Sequence, residues 1–472
     1  MNEVFVANTD ELRIAIQLAT PTSTIILSNP APYNTDGTFV RLAQRSSYFP
    51  TATYLDGYTI RGLGVSQTLL YNTRIFQQNS EPNAPGVVQD LTLKYTLAGS
   101  SDIGQRSDGG SLLRSDSGSF LFQRLKFTGE HTGVNGEGFK YMSLTPGAAN
   151  PAHANLTLDH VVVEITGQGN FNPAIAGPEA GGSSFLHSWN NIGTVRILDS
   201  TFDEAGYHSA FHFLTYGRPD PLGTIEIQRT LFTRTNHQGV VRHIGNRLRN
   251  VNASLTGNTF EQGSYLDLSG HLQPISLTGN TFKTVAGGYG IRIHAFDSSD
   301  GTPRVGAPHL AGAFAAGTHN TFTGSGLPLK VVDARANQQL SLVGPVHING
   351  VPFTRMTGGG QANDLIALAS GVADWVNGDD GHDAISAAQG DDWLMGGRGA
   401  DTLSGGEGED RFVFQKGDSG SGTDVDVIVD FSTADLLLFP EAKGVPLITK
   451  DPTQTNQYSC LLYTSPSPRD RG

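Results

Sequence analysis

Cysteine is almost lacking: Cys460 is the only one in 472 residues, which leaves no internal disulfide and no multi-thiolate metal site. Charge is sparse, at 16% Asp, Glu, Lys and Arg. No apolar run reaches the length of a membrane span. The opening MNEVFVANTDELR lacks the basic start and apolar stretch of a cleaved export signal. Also missing are a P-loop, a dinucleotide fingerprint, an HExxH pair and a basic nucleic-acid patch. Those absences set aside nucleotide chemistry, zinc proteolysis and nucleic-acid binding. What is abundant is turn-forming residue, with Gly 59 and Pro 23 beside 37% hydrophobics, a turn-rich β composition. The net charge of −13 is localised: residues 357–440 hold 14 Asp and 2 Glu against 3 Lys and Arg. Without cations such a block repels itself.

Within it, residues 359–413 form six nine-residue units, with Leu368 as one extra residue after the first. Asp occupies the sixth place of each: Asp364, Asp374, Asp383, Asp392, Asp401 and Asp410. The eighth place is always apolar: Ile366, Val376, Ile385, Leu394, Leu403 and Phe412. A flexible acidic linker has no reason to keep that phase. The stretch resembles the calcium-binding nonapeptide repeat of RTX proteins, GGxGxDxUx. The resemblance implies half-turns of a parallel β-roll, a glycine-rich turn alternating with a short strand whose U side chain fills the core. Ca2+ takes six to eight hard oxygens, which carbonyls and Asp carboxylates from stacked turns supply. Gly381, Gly390, Gly397, Gly399, Gly406 and Gly408 are the expected turn and carbonyl positions. The third-with-fifth and fourth-with-sixth pairs should make the best sites, and pairs using the first two units weaker ones. Residues 414–439 resemble the segment that closes such rolls. RTX proteins leave the cell by type I secretion, so the resemblance implies an extracellular protein that meets the type I secretion machinery.

Ahead of the repeats, a strand VFVA leads into ELRIAIQLA, a helix with one apolar face and Thr9 as its expected cap. Aromatics then recur at the ends of strands: Phe127, Phe202, Phe232, Phe260, Phe282 and Phe322. The last five are spaced by 30, 28, 22 and 40 residues, which suits the coils of a three-sided solenoid. Asn258, Asn280 and Asn320 precede three of them at one point of the coil and should stack as a structural ladder. The short helix followed by strands resembles the cap of right-handed parallel β-helices, and Tyr58–Gly64 resembles an early coil of pectin-lyase-like proteins. The fold expected is all-β: a right-handed parallel β-helix with an N-terminal helix cap over 1–355, then the β-roll over 356–440. Residues 441–459 would be a truncated remainder. Residues 460–472 read as a translated sequencing adapter.

A second column, SFLHS, AFHFL, VVRHI, YLDLS, GIRIH and PLKVV, would place His212, Arg242, Asp267, Arg292, His294 and Lys330 outward on one sheet. Cations about 5 Å apart suit an anionic polymer such as a uronic-acid polysaccharide, although scattered surface charge explains them equally well. His187, Trp189, Tyr207 and His208 could stack on sugars or simply pack. Lys140, Tyr141, Arg242 and Arg292 carry the chemistry of a lyase that removes a proton beside a carboxylate. A β-helix followed by RTX repeats is similar in architecture to mannuronan C5-epimerases, but their Asp-Pro-His-Glu signature is absent. Two readings stand: a secreted lyase-like or epimerase-like protein acting on an anionic polysaccharide, and a non-enzymatic adhesin or matrix protein that binds a cell-surface glycan.

Overall fold

A computed structural model describes residues 2–30, 32–34, 53–54, 57–71, 73, 75–77, 85–97, 111–115, 118–131, 140–144, 154–166, 184–189, 192–204, 209–214, 223–234, 245–249, 251–269, 275–285, 288–295, 320–324, 326–333, 340–348, 351–359, 363–415, 418, 425–439, 447–450 and 458–461. The chain divides into two compact units, Met1–Ser264 and Tyr265–Gly472.

The first unit is a parallel β-helix. Its helix, Thr9–Leu18, turns Leu12, Ala15 and Ile16 inward. Asn8, not Thr9, caps it: Asn8 Oδ1 accepts the Glu11 N–H at 2.9 Å, and Glu11 Oε2 accepts the Ala7 N–H at 2.7 Å. Glu11, three residues after the cap, thus ties the chain just before the helix to its first turn in a variant of the capping box. Asn8 has a glutamate at that place and Thr9 does not.

Strands then stack in parallel coil upon coil. Ile25, Ile60, Val88, Phe122, Leu158, Ile197, Ile227 and Leu255 are register partners in turn. Each is at most 1% exposed, so one inward position per coil builds a continuous apolar column. The aromatic line also forms, with Phe127 aligned to Val163, Val163 to Phe202, Phe202 to Phe232 and Phe232 to Phe260. Rings of Phe202, Phe232 and Phe260 stack with centroids 5.4 and 4.7 Å apart. Before Phe202, Phe232 and Phe260, a short polar side chain satisfies the backbone of the preceding coil. Ser200 Oγ accepts the Val161 N–H at 3.0 Å, and Asn258 Oδ1 accepts the Thr230 N–H at 3.0 Å.

The chain bends between paired strands at one left-handed residue per coil: Asp90, Arg124, His160, Asp199 and Arg229 have φ of 48 to 59°, and Gly257 has 66°. L-residues avoid that conformation. Here bidentate ion pairs accompany it, Arg124 on Asp90 at 2.6 and 2.8 Å and Arg229 on Asp199 at 2.6 Å twice.

The second unit opens with further coils of the same kind. Phe282 stacks on Phe322 at 5.0 Å, and Asn320 Oδ1 accepts the Asn280 N–H at 3.0 Å while its amide donates to the Leu277 carbonyl at 2.8 Å. A hairpin, Leu340–Ile348 with Val351–Gly358, leads into the β-roll. Its two parallel sheets hold alternate units: Val376, Leu394 and Phe412 align in one, Ile366, Ile385 and Leu403 in the other. All six eighth-place residues are at most 2% exposed. The extra Leu368 is absorbed as a register shift between Ala367 and Ser370, the expected behaviour of a β-bulge. Tyr458–Leu461 forms a strand antiparallel to Asp426–Ile428, and residues 462–472 lie outside the described set. Among the described residues no helix is long and apolar enough to cross a membrane.

Candidate functional site

Two aspartate ladders run through the roll. In one, the backbone N–H groups of Asp364, Asp383 and Asp401 donate to Oδ1 of Asp383, Asp401 and Asp426 at 2.8, 2.8 and 3.0 Å. In the other, Asp374, Asp392 and Asp410 donate to Asp392, Asp410 and Asp435 at 2.7, 3.0 and 3.0 Å. The ladders therefore extend beyond the nonapeptides to Asp426 and Asp435. Both were legible as D-x-U strings, Asp426-Val-Ile428 and Asp435-Leu-Leu437, once the glycine turn was no longer required.

Each Oδ1 is engaged, so the chemistry lies in Oδ2. In Asp383, Asp392, Asp401 and Asp410 this oxygen is buried with no hydrogen-bond partner. Glycine at the first place of the unit makes room for it. A Cβ on Gly378, Gly396 or Gly405 would come within 2.2, 2.2 or 2.0 Å of Oδ2 of Asp383, Asp401 or Asp410. The turns also stack closely, since a Cβ on Gly399 or Gly408 would stand 1.6 or 1.9 Å from the carbonyl oxygen of Gly381 or Gly390. All six expected turn glycines, Gly381, Gly390, Gly397, Gly399, Gly406 and Gly408, have positive φ. Asp379 and Ala388 hold the same conformation, with φ of 82° and 79°, where later units carry Gly397 and Gly406.

Burial raises the carboxyls of Asp383 and Asp392 to about 7 and that of Asp410 to about 6. Asp401 is raised by the same cause. Buried, half-satisfied carboxylates with close carbonyls form a hard-oxygen donor set that fits a divalent cation such as Ca2+.

A different cluster, Asp159, His160 and Asp199, brings its donor atoms within 4.8 Å of one another. Its oxygens are already used: Gln123 donates to Asp159 at 2.8 Å, and Arg229 takes both oxygens of Asp199. Arg229 also holds the Asp199 carboxyl below its usual value. This is a charged corner of the β-helix rather than a metal centre.

A polar row does align on one sheet, with changed membership, but His212 and Asp267 are buried in it rather than turned outward to solvent. In the first unit His187 aligns with His212, and His212 with Arg247. The two imidazoles meet edge to face at 5.1 Å, and all three residues are at most 6% exposed. Arg242 lies outside the described residues. The described strand beside Ser209–Leu214 is Asn246–Arg249, and VVRHI lies outside the described residues. Trp189 ends its strand but its side chain is outside the described set, as are Tyr207 and His208. Lys140 and Tyr141 begin the strand Lys140–Leu144, and their side chains are likewise not described.

In the second unit Asp267, Arg292 and Lys330 align across neighbouring strands. His294 follows two residues after Arg292 in the same strand, with its side chain outside the described set. Arg292 is not a free cation, because Nε donates to Asp267 Oδ2 at 3.1 Å and Nη2 reaches the same oxygen. Lys330 pairs with Asp379. The row is charge-compensated here rather than a bare line of cations.

The RTX calcium-binding nonapeptide repeat family matches residues 357–393 and 386–425. This part of the chain is an RTX calcium-binding repeat region, and the preceding part is a parallel β-helix. No curated protein matches the chain. Among solved structures, the alginate lyase from Paenibacillus sp. str. FPU-7 is similar at 13% identity, over 70% of this chain and 95% of that one, with a TM-score of 0.32. The PL6 family alginate lyase AlyGC is similar at 12% identity, over 87% and 72%, with a TM-score of 0.23.

Proposed function

We propose that this is an extracellular protein whose 356–440 roll folds on binding calcium and whose 1–355 β-helix binds an anionic polysaccharide. One observation carries the calcium reading: four buried aspartate oxygens, on Asp383, Asp392, Asp401 and Asp410, have no hydrogen-bond partner. A buried acceptor without a partner is costly. Bound Ca2+ would neutralise and cross-link these carboxylates between turns. Asp364 and Asp374 extend the donor set, and Asp426 and Asp435 close it. Export by the type I machinery belongs to the same proposal, since such a roll stays unfolded where calcium is scarce and orders outside. Calorimetric titration tests it. Wild type should bind several calcium ions, and Asp392→Asn with Asp401→Asn should lose sites; unchanged stoichiometry would sink the assignment.

For the β-helix, Arg292, whose side chain keeps 19% exposure, supports contact with an anionic sugar, whereas His187, His212 and Arg247 are buried members of the row. The internal pairing of Arg292 and Lys330 favours binding over cleavage, because paired cations are poorly placed to neutralise a reacting carboxylate. Arg292→Ala is expected to weaken binding to alginate and pectate without any unsaturated product appearing in wild type. Absorbance from unsaturated uronates would instead establish a lyase, with Lys140, Tyr141, Arg242 and Arg292 as first candidates.

A further inference from the structure

We propose that Asp379 is a docking carboxylate, through which the third nonapeptide grips Lys330 and so clamps the roll to the coil strand Leu327–Asp333. Lys330 Nζ meets Asp379 Oδ1, and the two side chains keep only 27% and 14% exposure. The location of the acid is informative. Asp379 stands at the second place of its unit with φ of 82°, where the fifth and sixth units use glycine. Its neighbour in register is Gly397, which has φ of 105°. Asp379 takes no part in either ladder, and Ala388 holds the same conformation uncharged, so the turn itself does not call for a carboxylate.

The charge order gives a reason for one. Asp267, Arg292 and Lys330 align across adjacent strands, with Arg292 already held by Asp267. Asp379 meets Lys330 directly, with the charge of Arg292 reaching Asp379 and that of Lys330 reaching Asp418 as well. The pair has two effects. An ordered roll orders the last coil, and Asp379 occupies the place on Lys330 that the carboxylate of an incoming polymer would need. The row open to a bound polymer ends before Lys330.

Coupling to calcium rests on the reading that calcium folds the roll; the clamp does not. Hydrogen exchange of the amides in Leu327–Asp333 tests it in wild type, Asp379→Gly and Lys330→Met, in calcium and in chelator. Circular dichroism of the same samples reports the roll. Glycine suits the left-handed turn, so Asp379→Gly keeps the roll folded. The expected result is exchange about fivefold faster in either variant with calcium present, and no further acceleration when the two are combined. Wild-type protection in Asp379→Gly would overturn the clamp. A wild-type dichroism spectrum indifferent to calcium would overturn the calcium reading instead, while the comparison of wild type with Asp379→Gly still decides the clamp.

Discussion

Burial of an acid without a partner sets the behaviour of the roll at the scale of single residues. Asp383, Asp392 and Asp410 are pushed up to about 7, 7 and 6 because burial opposes the charged form. The folded carboxyls hold protons that the unfolded chain releases near its ordinary 3.8. Without cation, roll stability is therefore full below that value and is lost as pH rises through about 6 to 7. Calcium reverses the sign, since it binds the ionised form. Circular dichroism in chelator should show more ordered roll at about pH 5 than at about pH 7.5, while calcium affinity should rise over the same interval. Equal spectra at both values would contradict the burial argument.

Within the coils and half-turns, the recurring device is a side chain that completes the backbone of the preceding turn. Asn320 does this twice in the β-helix, for the Asn280 N–H and the Leu277 carbonyl. Asn320→Ala would orphan both groups, at a cost of about 1–3 kcal/mol in a denaturant melt; a change within error would show that water replaces the amide. Much of this was legible. The Asn-Thr-Phe strings identified coil ends, and the eighth-place residues identified the roll core. Legibility failed where spacing is irregular. Arg247 was missed because the coils vary from 22 to 40 residues, so no period indicates which strand comes next. The left-handed corner column also escaped notice, since Asp, Arg and His stand where glycine would have signalled a bend.

For the whole chain, the two compact units differ in what holds them. Met1–Ser264 relies on buried apolar columns and stacked rings, which need no ion. The roll has its own small core, including Ile385, Leu394, Leu403 and Phe412, but encloses eight ladder aspartates beside it, each at most 8% exposed. Calcium removal should therefore abolish the roll's ordered signal while the thermal transition of Met1–Ser264 shifts by no more than a few degrees. A single cooperative transition that moves as one with calcium would contradict this division.

The sequence alone determined the roll: a nine-residue period repeats one local turn, so the phase of Asp, glycine and apolar residue dictates where each side chain points. It also determined that a coiled β architecture precedes the roll. Only the tertiary structure decided which residues share the polar row, which of them are buried and which are already paired. His187 beside His212, Arg292 on Asp267 and Lys330 on Asp379 join residues 25 to 49 positions apart. No local hydrogen-bonding pattern sets such separations. They follow from how many residues each coil uses before its strand returns to the sheet, which packing against the neighbouring coils decides.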